Sequence, residues 1–434
     1  MVRIVAGIAA FLVTVSLARL LLATGGSGSF PVPLSVTELA SAPAGGWVWF
    51  QDPRAVQYAG YLYVGAILDT GDVQVRVFDD ATGAAVSTVT LHAALQADDH
   101  DNPSLYIRPS DHKLVTMYSR HLADEVLERI STTSLDTDPD LSDGFASEVS
   151  FDLDEDPADL FFTYPNTVGT TNADGVADDL LWVFVRVHMG GTDAEWHYLN
   201  SDDGGATFSG LTRLHDVTYS RIVSDADTIH VAAGEYPGED SSKIYHLYRE
   251  NAAWRQSDGT DMGAGLPFDE SDMTVVYDSG GDKLWVWDIA LDGTGRPYIT
   301  FVRFVSTSDH RAYYARWTGA AWDVHEIAAA GGTMVDDLTI DANQIYYAGG
   351  VVLDHADPSI IYISREVSGQ FEMFRYATTD GGSSWMVTQL TEDSAVKHVR
   401  PAPVRDADHI PVVWLTGDYQ DYTDYSLGIT GFIP

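Results

Sequence analysis

From about residue 44 to the C-terminus the chain is built one way: short alternating or β-branched runs, each broken by Gly, Asp or Asn. Val73-Gln74-Val75-Arg76-Val77 alternates with period two, as a half-buried strand must. Runs of the same kind are Tyr61 to Leu68, Leu180 to Val187, Ile244 to Tyr248, Leu284 to Ala290, Tyr298 to Phe304, Ile360 to Ser364 and Pro411 to Leu415. Turn sequences such as Asp292-Gly293, Thr318-Gly319 and Asp380-Gly381-Gly382 separate several of them. No stretch carries a long helical period, so the chain reads as all-β. Two packed sheets rarely absorb this length, whereas radial repetition of four-stranded blades does. The expected fold is a single β-propeller domain over residues 44–434. At roughly 50–55 residues per blade it has seven blades, with six and eight as the neighbouring solutions.

Two segments sharpen that choice. Ser201-Asp202-Asp203-Gly204-Gly205-Ala206-Thr207-Phe208 and Thr378-Thr379-Asp380-Gly381-Gly382-Ser383-Ser384-Trp385 share S/T-x-D-x-G-x-S/T-aromatic, 177 residues apart. The Asp is placed to bond turn amides, the Gly to take positive φ, and the ring to pack beneath a hairpin. The pattern is similar to the Asp-box, or BNR repeat, found on the propeller blades of sialidases and their relatives. Such boxes bear on fold, not on chemistry.

Charge narrows the partners. The formal net charge of -40 argues against nucleic acid. The chain holds 50 Asp against 14 Glu, and 4 Lys against 20 Arg. Short, strongly hydrated carboxylates are favoured and the long alkyl stem of Lys is avoided. This suits solubility in concentrated salt, where the Debye length falls to roughly 3 Å at 1 M. A halophilic prokaryotic origin is expected. With no Cys there is no disulfide framework and no thiolate metal site. Residues 1–29 hold Arg3, an apolar run from Ile4 to Leu22 interrupted by Arg19, then a small-residue stretch. They read as a signal peptide or an uncleaved N-terminal anchor. The expectation is a secreted or cell-surface monomer, touching membrane only through that segment if it is retained.

The densest polar cluster is Asp98-Asp99-His100-Asp101-Asn102-Pro103, with His121 twenty-one residues after His100. Tyr164-Pro165-Asn166 follows, then Arg186 at the end of an apolar strand and Tyr219 in Thr218-Tyr219-Ser220-Arg221. With Trp49 to Arg54, Arg400-Pro401 and Trp414 to Tyr419, these residues resemble the BNR-repeat family that includes the seven-bladed ulvan lyases. Its pattern is W-F-x-D-P-R, D-D-H-N-x-P, a second His, Y-P-N, a strand ending in Arg, R-P, and W-x-x-G-x-Y. Two departures stand out. The Asn after the first His is Asp101 here, and a segment often reading G-H-P is Gly234-Glu235-Tyr236-Pro237.

The resemblance implies β-elimination at a uronic acid in an acidic polysaccharide, sulfated or not. An Arg fork neutralises the sugar carboxylate and so acidifies the neighbouring proton. A neutral His or a Tyr then removes it, and a second group protonates the departing oxygen. By the resemblance, His100, His121 and Tyr164 supply base and acid, Arg186 neutralises, and Tyr219 lies nearby; their order is open. Singly, each residue has a plainer reading: His100 as a loop fastener, His121 as a strand-end structural His, Arg186 paired with a carboxylate, and Tyr219 in the core. Trp47, Trp182, Trp196, Trp285 and Trp287 are expected in the core rather than as sugar platforms. Two other functions compete: a sialidase-like hydrolase, hinted at by Arg54, and a non-catalytic glycan-binding propeller. No cofactor is required. Asp152-Leu153-Asp154-Glu155-Asp156 resembles part of a Ca²⁺ loop but lacks its Gly and terminal Glu, and no H-x-x-x-H pair supports zinc.

Overall fold

The computed structural model describes residues 35–151, 160–173, 180–189, 194–239, 241–339 and 342–434. Among them the only helical turns are two short 3₁₀ segments, Asp99–Asp101 and Ala342–Tyr346. The strands form seven antiparallel blades, over 55–92, 104–151, 160–215, 219–278, 283–331, 351–389 and 397–433. Within each, successive strands pair in chain order, so a blade is a meander that starts at its first strand and walks outward; only in the fourth does a further strand, Thr274–Asp278, pair back with Lys243–Glu250. The first strands are Ala55–Tyr58, Ser104–Ile107, Leu160–Thr170, Tyr219–Ser224, Lys283–Leu291, Val351–Leu353 and Lys397–Arg405. Each touches the first strand of the next blade. The ring closes where Lys397–Arg405 meets Ala55–Tyr58 in parallel, through Ala55↔Val404 and Val56↔Arg405. This closed ring is a β-propeller, as the sequence led one to expect.

The seventh blade takes its fourth strand from the other end of the chain. Ser35–Ala40 pairs antiparallel with Asp424–Ile433, Ser35 opposite Ile433. That strand lies ahead of residue 44, where the sequence pattern becomes legible. It is six residues long and only Leu39 is buried, so it has almost no alternation to read. The leader-like residues 1–29 and the Asp152 to Asp156 stretch fall outside the described residues.

Blades pack face to face, and this decides how their strands read. On Leu180–Met189, Leu181, Val183, Val185 and Val187 pack with Val115, Met117 and Phe162. Trp182 and Phe184, on the other face, join the main core. With both faces covered, the segment is a continuous apolar run rather than an alternation. Each such fully buried side chain contributes about 1.5–3 kcal/mol.

The two S/T-x-D-x-G-x-S/T turns are near copies in space. Asp203 Oδ1 accepts from Thr207 N at 2.8 Å, and Asp380 Oδ1 from Ser384 N at 2.9 Å. The leading hydroxyls of Ser201 and Thr378 accept from Gly205 N and Gly382 N, both at 2.8 Å. Those glycines sit at φ 99° and 101°, where a Cβ is strained. The trailing rings reach the preceding blade: Phe208 meets Phe151 edge-on at 4.9 Å, and Trp385 meets Tyr314 at 5.4 Å.

The segment 47–54, ahead of the first blade, is strapped down by residues from several blades. Trp47 Nε1 donates to Arg400 O at 2.9 Å, and Arg400 Nη1 donates to Trp47 O at 2.7 Å. Val48 N donates to Asn102 Oδ1 at 3.0 Å, and Asp52 N to Asn166 Oδ1 at 2.8 Å. Asn166 Nδ2 returns to Phe50 O at 2.8 Å. Trp49 stacks on Trp287 at 4.4 Å and 4° and meets Trp285 edge-on at 4.9 Å. All five tryptophans assigned to the core are buried.

Candidate active site at one mouth of the propeller

Asp98 is the pivot. It caps the 3₁₀ turn Asp99–Asp101, accepting from His100 N at 2.9 Å. Its Oδ1 meets His100 Nδ1 at 2.5 Å and its Oδ2 meets His121 Nδ1 at 3.0 Å. One carboxylate thus holds two imidazoles, which stack at 4.1 Å and 6°. Burial alone would raise the Asp98 carboxyl, but the histidines hold it far below the usual carboxylate range. A carboxylate accepts only, so each ring turns a protonated Nδ1 to it, and a neutral His121 keeps its lone pair on Nε2. Burial, then repulsion from His100, depresses His121 to about 4. His121 is therefore a neutral base at ordinary pH.

Tyr164 is aimed by a bulge. Thr163 pairs with Arg186 and Asn166 with Phe184, so Tyr164 and Pro165 together face one residue. Tyr164 adopts φ 60°, a conformation costing of order 1–3 kcal/mol for a non-glycine residue. Arg400-Pro401 repeats the device on the seventh blade, with a register shift between Val399 and Ala402 and φ 50° at Arg400. A bulge re-aims a side chain that regular pairing would send into the sheet.

The Arg186 guanidinium lies 4.3 Å from the Tyr164 ring centre and 5.0 Å from that of Tyr219. No carboxylate among the described residues pairs with it, and its Nε has no acceptor. His100 is 5.5 Å from Tyr164, and Tyr164 is 6.3 Å from Tyr219. The five side chains singled out in the sequence therefore share one cluster, drawn from three blades. His100, Tyr164 and Arg186 are buried, whereas His121 and Tyr219 are half-buried and reach solvent. Burial pushes the Tyr164 phenol well above its ordinary value, so it is a neutral donor.

Five residues around the cluster were given no site role from the sequence. Tyr422, at a hairpin tip, meets His100 and His121 edge-on at 5.2 and 6.1 Å, and its carbonyl accepts from Asp99 N at 2.9 Å. Asp99 Oδ2 binds Arg400 Nη1 and accepts from Tyr419 Oη at 2.7 Å. The R-P and W-x-x-G-x-Y segments thus brace the histidine turn from behind. His188, two residues beyond Arg186, is lowered to about 3 by burial, Arg186 and His121. The Arg-to-Tyr419 motif was a sequence signal for Arg400, while Tyr422 stands just outside it and His188 carries no motif.

The two departures have local explanations. Asp101 is buried, and burial plus the charge of Asp98 pushes its carboxyl well above the usual range. A neutral carboxylic acid has nearly the shape of the Asn amide it replaces. Glu235 Oε2 accepts from Thr218 N at 3.2 Å and from Thr218 Oγ1 at 2.5 Å. It fastens the residue ahead of Tyr219. Asp98, His100 and His121 are also the one group among the described residues whose ligand atoms, within 4.8 Å of one another, could hold a metal ion.

The model of the BNR repeat-containing family matches residues 56–330. No curated protein matches the chain. Among solved structures, a polysaccharide lyase family PL25 ulvan lyase superposes with a TM-score of 0.67 at 14% identity, covering 91% of this chain and 94% of its own. The same lyase bound to -[GlcA(1-4)Rha3S]- gives the same values. Polysaccharide lyase Uly1 superposes with a TM-score of 0.58 at 12% identity, covering 88% and 90%. At such identities the likeness is one of fold.

Proposed function

Because the chain belongs to the BNR repeat-containing family, we propose, from that premise, that it is an exported polysaccharide lyase cleaving a uronate-containing polysaccharide by β-elimination. One observation carries the reading: two imidazoles on a single carboxylate, the more exposed of them the neutral His121, stand beside a buried guanidinium that no carboxylate among the described residues pairs with. An unneutralised Arg in a largely buried cluster is matched by a sugar carboxylate.

In this reading Arg186 takes the uronate carboxylate. His121, the more exposed imidazole, accepts the proton next to it at Nε2. The electrons form the ring double bond as the glycosidic C–O bond breaks, and the Tyr164 phenol protonates the departing oxygen. His100 is a positioning residue, fixing Asp98 and stacking on His121. Tyr219 orders Arg186. The reaction needs no cofactor, and the acidic polysaccharide, sulfated or not, is the only partner required. The overlap with ulvan lyases supports this chemistry by analogy of fold.

Burial favours one other reading. His100, Tyr164 and Arg186 are closed off, as in a glycan-binding propeller that has no turnover. The test is incubation of the purified chain in high salt with a panel of uronate polysaccharides, following the ultraviolet absorbance of the unsaturated sugar. Absorbance that grows with the wild type and vanishes in His121→Ala supports the lyase. Affinity without absorbance, unchanged by that substitution, supports the binder.

A further inference from the structure

Asp288, on the first strand of the fifth blade, gathers more cations than it can neutralise. Arg221 Nη2 lies 3.5 Å from its Oδ1, and His355 Nε2 lies 3.0 Å from its Oδ2. Arg54 and Arg405 also feel its charge. The second carboxylate is Asp52, which pairs with Arg54 Nε at 2.8 Å and with Arg221 Nη2. Burial keeps His355 below its ordinary value and therefore neutral, while Asp288 is held at about 2 despite its own burial. Three guanidiniums thus face two buried carboxylates, and Asp406, exposed to solvent, is the further carboxylate that Arg405 feels.

The surplus is visible in unmet hydrogen bonds. Arg54 Nη2 and Arg221 Nε are buried without an acceptor. No carboxylate among the described residues pairs with Arg405 within 4.0 Å. A net positive site inside a chain of charge -40 is not explained by surface composition. Buried charge is stable only when it is paired.

Arg405 is half-buried rather than sealed in. It lines a cleft of about 370 Å³ with Val56, Ile107, Thr170 and Ala226. These residues stand where the first strands end, away from the histidine turn ahead of Ser104–Ile107. The cleft's hydroxyls are already engaged: Thr167 with Ser104, Thr171 with Ala226 O and Ser224 with Gly169 O. Its rim carries Asp225 and the exposed Asp406. A dianion would overshoot one surplus charge and face those two carboxylates. We propose that the chain binds a small monovalent anion, a halide or a short monocarboxylate, through Arg405 with Arg54 and Arg221 behind it, entering from this cleft.

The site is separate from the proposed catalytic cluster, so either can fail alone. The experiment is thermal unfolding at constant ionic strength, with chloride or acetate replacing the bulky anion gluconate. Saturable stabilisation by either is expected, about 1–2 °C for each tenfold rise above half-saturation, and Arg405→Gln abolishes it. A response to chloride alone identifies a halide, and a response to acetate alone identifies a carboxylate. No anion-specific response in the wild type, or an undiminished one in Arg405→Gln, overturns the proposal. If that variant does not fold, crystals soaked in bromide decide: an anomalous peak against Arg405 supports the site and its absence overturns it.

Discussion

Arg186 lies over the Tyr164 ring at 4.3 Å, a cation held by an aromatic face where a carboxylate would ordinarily stand. The pairing keeps the guanidinium in place beside Tyr219 while leaving its Nε without an acceptor.

Replacing that cation tests its purpose. Arg186→Met is expected to lower kcat/KM on a uronate polysaccharide by roughly 100-fold or more. Its melting temperature should hold or rise, because an unpaired buried charge has been removed. Initial rates and a thermal melt measure both; a variant that turns over normally removes Arg186 from the chemistry.

The pH dependence follows from His121. Its folded value is about 4 against an ordinary 6.5, so it remains unprotonated, and able to act as a base, between those limits. Activity is expected to persist on acidification to about pH 4–5 rather than to fall near 6.5. The same shift works against folding: below pH 6.5 the unfolded chain binds a proton that the folded one refuses. Stability therefore declines as pH drops from 6.5 toward 4. A rate profile and a series of melts read the two effects separately.

Asp101 gives a shift of opposite sense. Its carboxyl is raised by burial and by Asp98, so above the ordinary carboxyl range the unfolded chain ionises first. Folding then weakens as pH rises, until the folded group ionises too. Asp101→Asn has no such proton to lose. Its stability advantage should grow with pH from about 4 upward, by at most about 1.4 kcal/mol per unit. Denaturant melts at pH 5 and 8 compare the two chains; an advantage that is flat or shrinks with pH contradicts a neutral Asp101.

Salt should act on encounter rather than on chemistry. A chain of charge -40 repels a polyanion at long range, and salt near 1 M cuts that range to roughly 3 Å. KM is expected to fall several-fold between dilute buffer and about 1 M salt, with kcat changing less. Steady-state kinetics across that range are sufficient, and activity greatest in dilute buffer would contradict the argument.

How much of this was legible depended on distance along the chain. Val73–Asp79 announces itself by alternation, although Gln74 and Phe78 on its second face are buried too, and Leu180–Met189 by continuous apolar character. The cluster residues were legible as motifs, yet nothing local says why Asp99 belongs with Arg400, 301 positions away. That contact exists only once the ring has closed. Tyr422 and His188 lie outside any repeat or motif, and their place comes from hairpin geometry and strand register. The bulge at Tyr164 had a sequence trace in Pro165, but the positive φ before it is a tertiary choice.

The pairing of Ser35–Ala40 with Asp424–Ile433 sets the timing of folding. Ser35–Ala40 is synthesised long before Asp424–Ile433 and finds its partner only once that strand has emerged. Until then, six blades stand with an open seam and an unpaired strand edge at each side of it. Such edges recruit other chains. A nascent chain of this design depends on rapid closure, and crowded synthesis or slow completion of the seventh blade would favour one copy lending its first strand to another.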